Sequence, residues 1–150
     1  MICEGRTKDA HLRALQAEYA ARIAHFSELR VDEVRCDAAD SARRKAGLNS
    51  AERRLLEMAH GGRKVALDER GELWTSAELA RWMSQSALRG VRELVFLVGG
   101  PDGFSQAFRE QADLVLSLSR MTLTRDWART LLLEQIYRAF TIERGYPYPR

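Results

Sequence analysis

Two short stretches bring together residues suited to binding. In the first, the apolar, β-prone run Leu94-Val95-Phe96-Leu97-Val98 breaks into Gly99-Gly100-Pro101-Asp102-Gly103 and resumes at Phe104. A buried strand ending in a glycine-rich turn before a helix is a common cofactor site in α/β proteins. Glycine lets a backbone approach a ligand closely, and free amides at a helix start favour a polar or anionic edge. The same glycines serve equally for a plain tight turn, and no dinucleotide or P-loop spacing is present. The second stretch, residues 117 to 124 (SLSRMTLT), is another strand-to-loop transition, rich in small hydroxylated side chains. Cys3 and Cys36 form no metal or CxxC spacing and read as two reduced structural thiols.

The elements that must hold these stretches follow from composition and periodicity. The chain has 150 residues, 45% hydrophobic and 30% charged, as expected for one soluble domain with a real core. No apolar run approaches the roughly 18 residues of a membrane span. The start, MICEGRTKDA, lacks a signal peptide's apolar core, so a cytoplasmic location is expected. Net charge is +3, and residues 120 to 150 hold six arginines against three acids, equal to that whole excess. Lysine occurs only at Lys8, Lys45 and Lys64. Arginine suits phosphate recognition; genomic base composition produces the same bias.

Leu12, Leu15, Tyr19, Ile23 and Phe26 recur at three- and four-residue steps, which predicts a helix from Lys8 to Phe26. Leu29, Val31 and Val34 mark a short strand. Residues 38 to 48 are polar and read as a surface helix or a mobile loop. A helix begins near Ser50 with Leu55, Leu56 and Met58 inside, and stops at Gly61-Gly62. Residues 64 to 68 (KVALD) are the next strand, and ERGELWT is a connecting loop. Thr75-Ser76-Ala77-Glu78 is a capping box opening a helix to about Leu88, with a stop at Gly90. A strand at 93 to 98, a helix near 104 to 111 and a strand at 113 to 119 follow.

The last helix, from about Asp126 to Arg144, carries Leu131, Leu132, Ile136, Tyr137 and Phe140. It is apolar over much of its circumference, which predicts a second partner such as another subunit. Alternating helices and apolar strands indicate a mostly parallel sheet flanked by helices on both faces.

The blocks LDERGELWTSAELA, LVGGPDGF and SLSRMTLT resemble the SPOUT class of methyltransferases. More narrowly, the chain is similar to the ribosomal RNA large-subunit methyltransferase H family. With GRTKD and EYAARI near the start and YRAF and YPYPR at the end, the resemblance spans nearly the whole chain. It implies an α/β fold with a C-terminal deep trefoil knot, which periodicity could not indicate because chains avoid knots. It implies S-adenosylmethionine (SAM) as cofactor, held at Leu67, Gly99, Leu118, Ser119, Arg120, Met121, Thr122 and Leu123. Backbone groups would read the adenine edge, and Leu67, Leu118, Met121 and Leu123 would sandwich the ring; core packing is the other use of these apolar side chains.

The resemblance also implies a homodimer through the C-terminal helices, with Leu131, Leu132, Ile136 and Phe140 divided between core and seam. The reaction implied is methyl transfer to N3 of a pseudouridine in the helix-69 loop of large-subunit ribosomal RNA, on the assembled ribosome. The protein then mainly aligns the reactants and excludes water. A base, or a positive group favouring the imide anion, would help.

The chain departs from its relatives at three places. The family tail ends Pro-Tyr-His-basic, and here it reads Pro147-Tyr148-Pro149-Arg150. The usual Pro-His at the knot-loop exit is Thr124-Arg125. A histidine base at these places is excluded. Tyr148 and Arg150 match the tail and are the expected catalytic residues, Tyr148 orienting the base and Arg150 binding phosphate or stabilising imide charge. Arg125 could act as Arg150 does, and a surface role fits each equally. Relatives start with a full apolar strand, whereas only MICE precedes Gly5-Arg6-Thr7-Lys8, so a short first strand or an upstream start is expected. The alternative function is a catalytically weakened SPOUT-fold RNA- or ribosome-binding protein. A more distant one is an unrelated nucleotide-binding α/β protein.

Overall fold

Successive side chains on a strand point to opposite faces, and here both faces are apolar. The structure, a computed structural model, describes residues 1–35 and 47–148. Most of the polar segment at 38 to 48, together with Cys36 and Arg150, lies outside the described residues. Ten elements follow in order: β1 (Ile2–Glu4), α1 (Ala10–Ala24), β2 (Asp32–Val34), α2 (Ser50–Met58) and β3 (Arg63–Leu73). Then come α3 (Ser76–Leu88), β4 (Leu94–Val98), α4 (Gln106–Arg109), β5 (Leu114–Ser117) and α5 (Arg125–Arg144). The strands form one sheet in the order β2-β1-β4-β3-β5, with every pairing parallel.

Cys3, Val65, Leu67, Phe96, Val98 and Leu116 face one way, onto Ile23 of α1, Leu79 and Ala80 of α3, and Leu132, Leu133 and Ile136 of α5. Ile2, Val34, Ala66, Val95 and Leu97 face the other way, onto Leu55 of α2 and the stacked rings of Phe104 and Phe108. The expected parallel sheet with helices on both faces is therefore present. Among the described residues no helix is long and apolar enough to cross a membrane.

The Thr75–Glu78 capping box forms as predicted, the Thr75 N–H donating to Glu78 Oε2 at 2.7 Å. α5 starts on a Thr124 cap and ends at Gly145, whose φ of 62° is the left-handed value a helix stop needs.

Several elements differ from expectation. ERGELWT is not a connecting loop, because β3 continues through it to Leu73. The strand pairs with β5 at Val65–Leu67, leaves register, and pairs again at Glu72 and Leu73. The bulge begins where Asp68 Oδ1 accepts the Arg70 N–H at 2.9 Å. It closes at Gly71, buried so tightly that a Cβ there would lie 2.6 Å from the Val115 carbonyl carbon. Charged residues and a glycine read locally as a loop; here they form a bulge because β5 lies alongside.

α1 and α2 bury Ile23 and Leu55 as expected, but other inward positions differ. Leu15 is 39% exposed and Gln16 is buried in its place, while in α2 Met58 is exposed and Ala51, Glu52, Leu55 and Ala59 face inward. The predicted helix at 104 to 111 shrinks to Gln106–Arg109, and the strand at 29 to 34 to Asp32–Val34.

Gly71→Ala is expected to lower stability by about 1–3 kcal/mol, because β5 backbone cannot yield as a flexible side chain would. A fall in the urea midpoint at unchanged slope measures it.

Candidate functional site

Parallel strands all end at one edge of the sheet, and ligands of such sheets gather there. A cavity of about 610 Å³ opens at that edge, within the size range of small-molecule sites. Its walls are the β3 bulge from Leu67 to Arg70, the turn after β4 from Val98 to Gly103, the loop after β5, and the first turn of α5.

The turn after β4 is held by groups inside the protein. The Gly103 N–H donates to the Gly100 carbonyl at 3.0 Å. The Gly100 N–H donates to Oε2 of Glu4, a side chain only 1% exposed, at 3.0 Å. At the far end, the fully buried Glu52 accepts the Ser105 N–H at 2.6 Å and the Ser105 hydroxyl at 3.0 Å. Glu52 also completes a capping box with Asn49 at the start of α2. A Cβ on Gly99 would sit 3.3 Å from the Phe104 ring, so this glycine answers to packing as well as to any ligand.

The loop after β5 is tied to the bulge of β3. Thr122 donates its hydroxyl to Glu69 Oε2 at 3.3 Å, and Arg120 donates to the Glu69 carbonyl. Ser119 Oγ accepts the Met121 N–H at 2.9 Å, and Met121 stands 77% exposed at the wall of the cavity. Of the residues singled out from sequence, Leu67, Gly99, Leu118, Ser119, Met121, Thr122 and Leu123 all line this one space. Arg120 does not line it. Asp68, which does, is nearly buried and pairs with Arg109 at 3.3 Å.

Arg125 lines the cavity but is already engaged. Its Nε donates to Asp126 Oδ1 at 3.2 Å and its Nη2 to the Arg6 carbonyl at 3.1 Å. The guanidinium occupies the space a Cβ on Gly5 would need, and Gly5 takes a φ of +77°. Behind it, Arg129 is 1% exposed. It donates to the Gly5 carbonyl at 2.7 Å, Thr7 Oγ1 at 2.8 Å and Glu33 Oε1 at 2.9 Å. Gln16 joins the network by donating to Thr130 Oγ1 at 3.0 Å and to the Asp126 carbonyl at 3.2 Å.

Sequence reasoning missed Glu4, Gln16, Glu52 and Arg129. Only Asn49-x-x-Glu52, a capping-box spacing, carried a local signal.

Tyr148 is placed elsewhere, in an aromatic cluster between α1 and α5. Its hydroxyl lies 3.1 Å from that of Tyr19, its ring meets Tyr137 edge-on at 4.9 Å, and Arg138 sits 4.6 Å from its centroid. Burial, then the bond to Tyr19, pushes the phenol well above its ordinary value. The cavity walls and Tyr148 are thus not brought together within one chain. Arg150 lies outside the described residues.

A family model described as "Predicted SPOUT methyltransferase" matches residues 1–149. Among curated relatives, a protein named ribosomal RNA large subunit methyltransferase H from Geobacter sp. (strain M21) is 46% identical over 99% of this chain and 96% of its own length. One of the same name from Citrifermentans bemidjiense is 44% identical over the same shares. A third, from Geotalea daltonii, is 42% identical over 96% of this chain and 94% of its own. A solved structure of the SpoU methyltransferase AviRb from Streptomyces viridochromogenes, in complex with AdoMet, has a TM-score of 0.44 and 13% identity; the match covers 97% of this chain and 58% of that one.

The buried network has a pH signature. Burial pushes the Cys3 thiol from 9.0 to about 11, with nearby Arg129 opposing part of the rise. A proton held more tightly when folded stabilises the fold fully below the unfolded value and loses that effect as pH climbs to the folded one. Stability should therefore fall between about pH 9 and 11, by roughly 2 kcal/mol from this group. Urea midpoints taken across that window should decline less steeply in Cys3→Ala.

Proposed function

The chain belongs to the SPOUT methyltransferase family, and from that premise we propose that it transfers a methyl group from SAM to large-subunit ribosomal RNA. The finer proposal is N3 of a pseudouridine in the helix-69 loop, on the assembled ribosome, in the cytoplasm. One observation supports the cofactor part of this reading: the segments at 67, 99 and 118–123, far apart in the chain, converge on a single cavity of fitting size.

The residues present fit SAM. Leu67, Leu118, Met121 and Leu123 offer apolar surface for a flat ring, and Gly99–Gly103 and Ser119 offer backbone and hydroxyl groups for its polar edges. When bound, SAM supplies a methyl group already activated on a positive sulfur. The chain's own part is to orient and enclose. Thr122 and Arg120 pin the 118–124 loop against Glu69, and Asp126 and the Arg6 carbonyl hold Arg125 at the wall. In this reading Arg125, its charge partly offset by Asp126, would favour negative charge on the substrate imide.

We place a deep trefoil knot at this site, with α5 passing through a loop. We also propose a homodimer packed through the C-terminal helices. The outer side of α5 supports it: Trp127, Leu131 and Ile142 are 49%, 36% and 44% exposed. Tyr148 and Arg150 would act, in this reading, at the partner's cavity. Tyr148 would donate a hydrogen bond to the base and would not remove its proton.

Labelled methyl from SAM is expected to enter large-subunit RNA of ribosomes lacking the modification. Gly99→Leu, whose side chain must displace the Phe104 ring, should cut the rate more than tenfold. SAM binding without transfer would favour the weakened RNA-binding alternative. No SAM binding would favour an unrelated nucleotide-binding activity.

A further inference from the structure

A peptide flanked by two glycines is the easiest kind to flip, because no Cβ resists either orientation. Gly99–Gly100 is such a peptide, and it forms part of the cavity wall. The two ends of a trans peptide point oppositely: where the Gly100 N–H is directed, the Gly99 carbonyl faces away. Glu4, at the end of β1, accepts that N–H at 3.0 Å with a side chain only 1% exposed. Glu4 is not part of the cavity lining. Its carboxylate therefore stands behind the wall and decides which polar group of the peptide is turned toward it.

We infer that Glu4 is a positioning residue for the cofactor turn. Its carboxylate locks the Gly99–Gly100 peptide so that the Gly99 carbonyl is offered on the cavity side as a hydrogen-bond acceptor. The group it serves is a donor on the ligand, an amine or hydroxyl of the methyl donor. This inference rests on the SAM reading above.

Two features mark the arrangement as more than space filling. A carboxylate is costly to bury and suits a site where a donor must be held in one direction. Close packing also matches Gly100 to Glu4: a Cβ there would lie 2.7 Å from the Glu4 carboxyl carbon and would force the carboxylate to shift. Glu4 and Gly100 thus form a matched pair. Glu52 holds the far end of the same turn through Ser105, so a flip cannot be absorbed by drift of the whole loop.

The test is SAM binding to the full chain by isothermal calorimetry, with methyl transfer to unmodified ribosomes as a second readout. Glu4→Ala is expected to weaken SAM binding about tenfold or more while leaving KM for the ribosome unchanged. Glu4→Gln keeps an acceptor oxygen and should bind SAM within about threefold of the unaltered chain. Gly100→Ala should weaken binding alone, yet add little in a Glu4→Ala background, where its Cβ has room; two coupled residues behave non-additively. If Glu4→Ala does not fold, Glu4→Gln and Gly100→Ala still carry the test, because the first must bind SAM nearly as the unaltered chain does and the second must bind it clearly more weakly. Unchanged SAM affinity in Glu4→Ala, additive losses in the double variant, or a loss in Glu4→Gln equal to that in Glu4→Ala would each overturn the lock. No SAM binding by the unaltered chain would instead overturn the cofactor reading, and this inference with it.

Discussion

A guanidinium taken out of water has to find acceptors, and the acceptors Arg129 finds decide where α5 begins. They are the Gly5 carbonyl and the Thr7 hydroxyl just past β1, and the Glu33 carboxylate on β2. An unsatisfied buried charge would cost several kcal/mol, so the helix cannot slide along the sheet without breaking this set. Gln16 reinforces the join from α1. The first turn of α5 is consequently fixed beside the strand ends, and Arg125, Asp126 and Ala128 become a wall of the cavity.

The other walls rest on a similar logic of polar groups held from behind. Glu4 and Glu52, both buried, grip the glycine turn from two sides. Glu69, on the bulge of β3, holds the loop after β5. That bulge exists because Gly71 lets β3 and β5 approach closer than any side chain would permit. Apolar layers on both faces keep the sheet rigid beneath these loops. A rigid sheet edge with loops pinned at named atoms is the kind of support that a cofactor site needs.

Membership of the SPOUT methyltransferase family and the departures from its pattern fit one picture. Where the family resemblance leads to an expected Pro-His pair, this chain has Thr124 and Arg125, and both are in use: Thr124 caps α5 and Arg125 lies over Gly5. The tail tyrosine is engaged with Tyr19 and Tyr137, away from its own cavity. A site that draws a tail from a second copy would explain why the cavity and Tyr148 lie apart. It would also explain why α5 keeps Trp127, Leu131 and Ile142 exposed on its outer side.

Local pattern was enough to reveal the order of strands and helices, the capping box at Thr75, the span of the last helix to Arg144 and the glycine turn after β4. Each depends on side-chain period or backbone sterics within a few residues, and neighbours in sequence carry that information. The resemblance added the grouping of Leu67, Gly99 and residues 118–123, all but Arg120 of which share one cavity. Long-range pairing alone settled the rest: the passage of β3 through a charged stretch, the burial of Gln16 in place of Leu15, and the roles of Glu4, Glu52 and Arg129. A buried polar side chain is stable only when its partners arrive, and the partners that Glu4 finds in Gly100, Glu52 in Ser105, and Arg129 in Gly5, Thr7 and Glu33 lie far away in the chain. Apart from the Asn49–Glu52 cap, no period or spacing in one segment encodes them; they exist only once the sheet has brought its strand ends together.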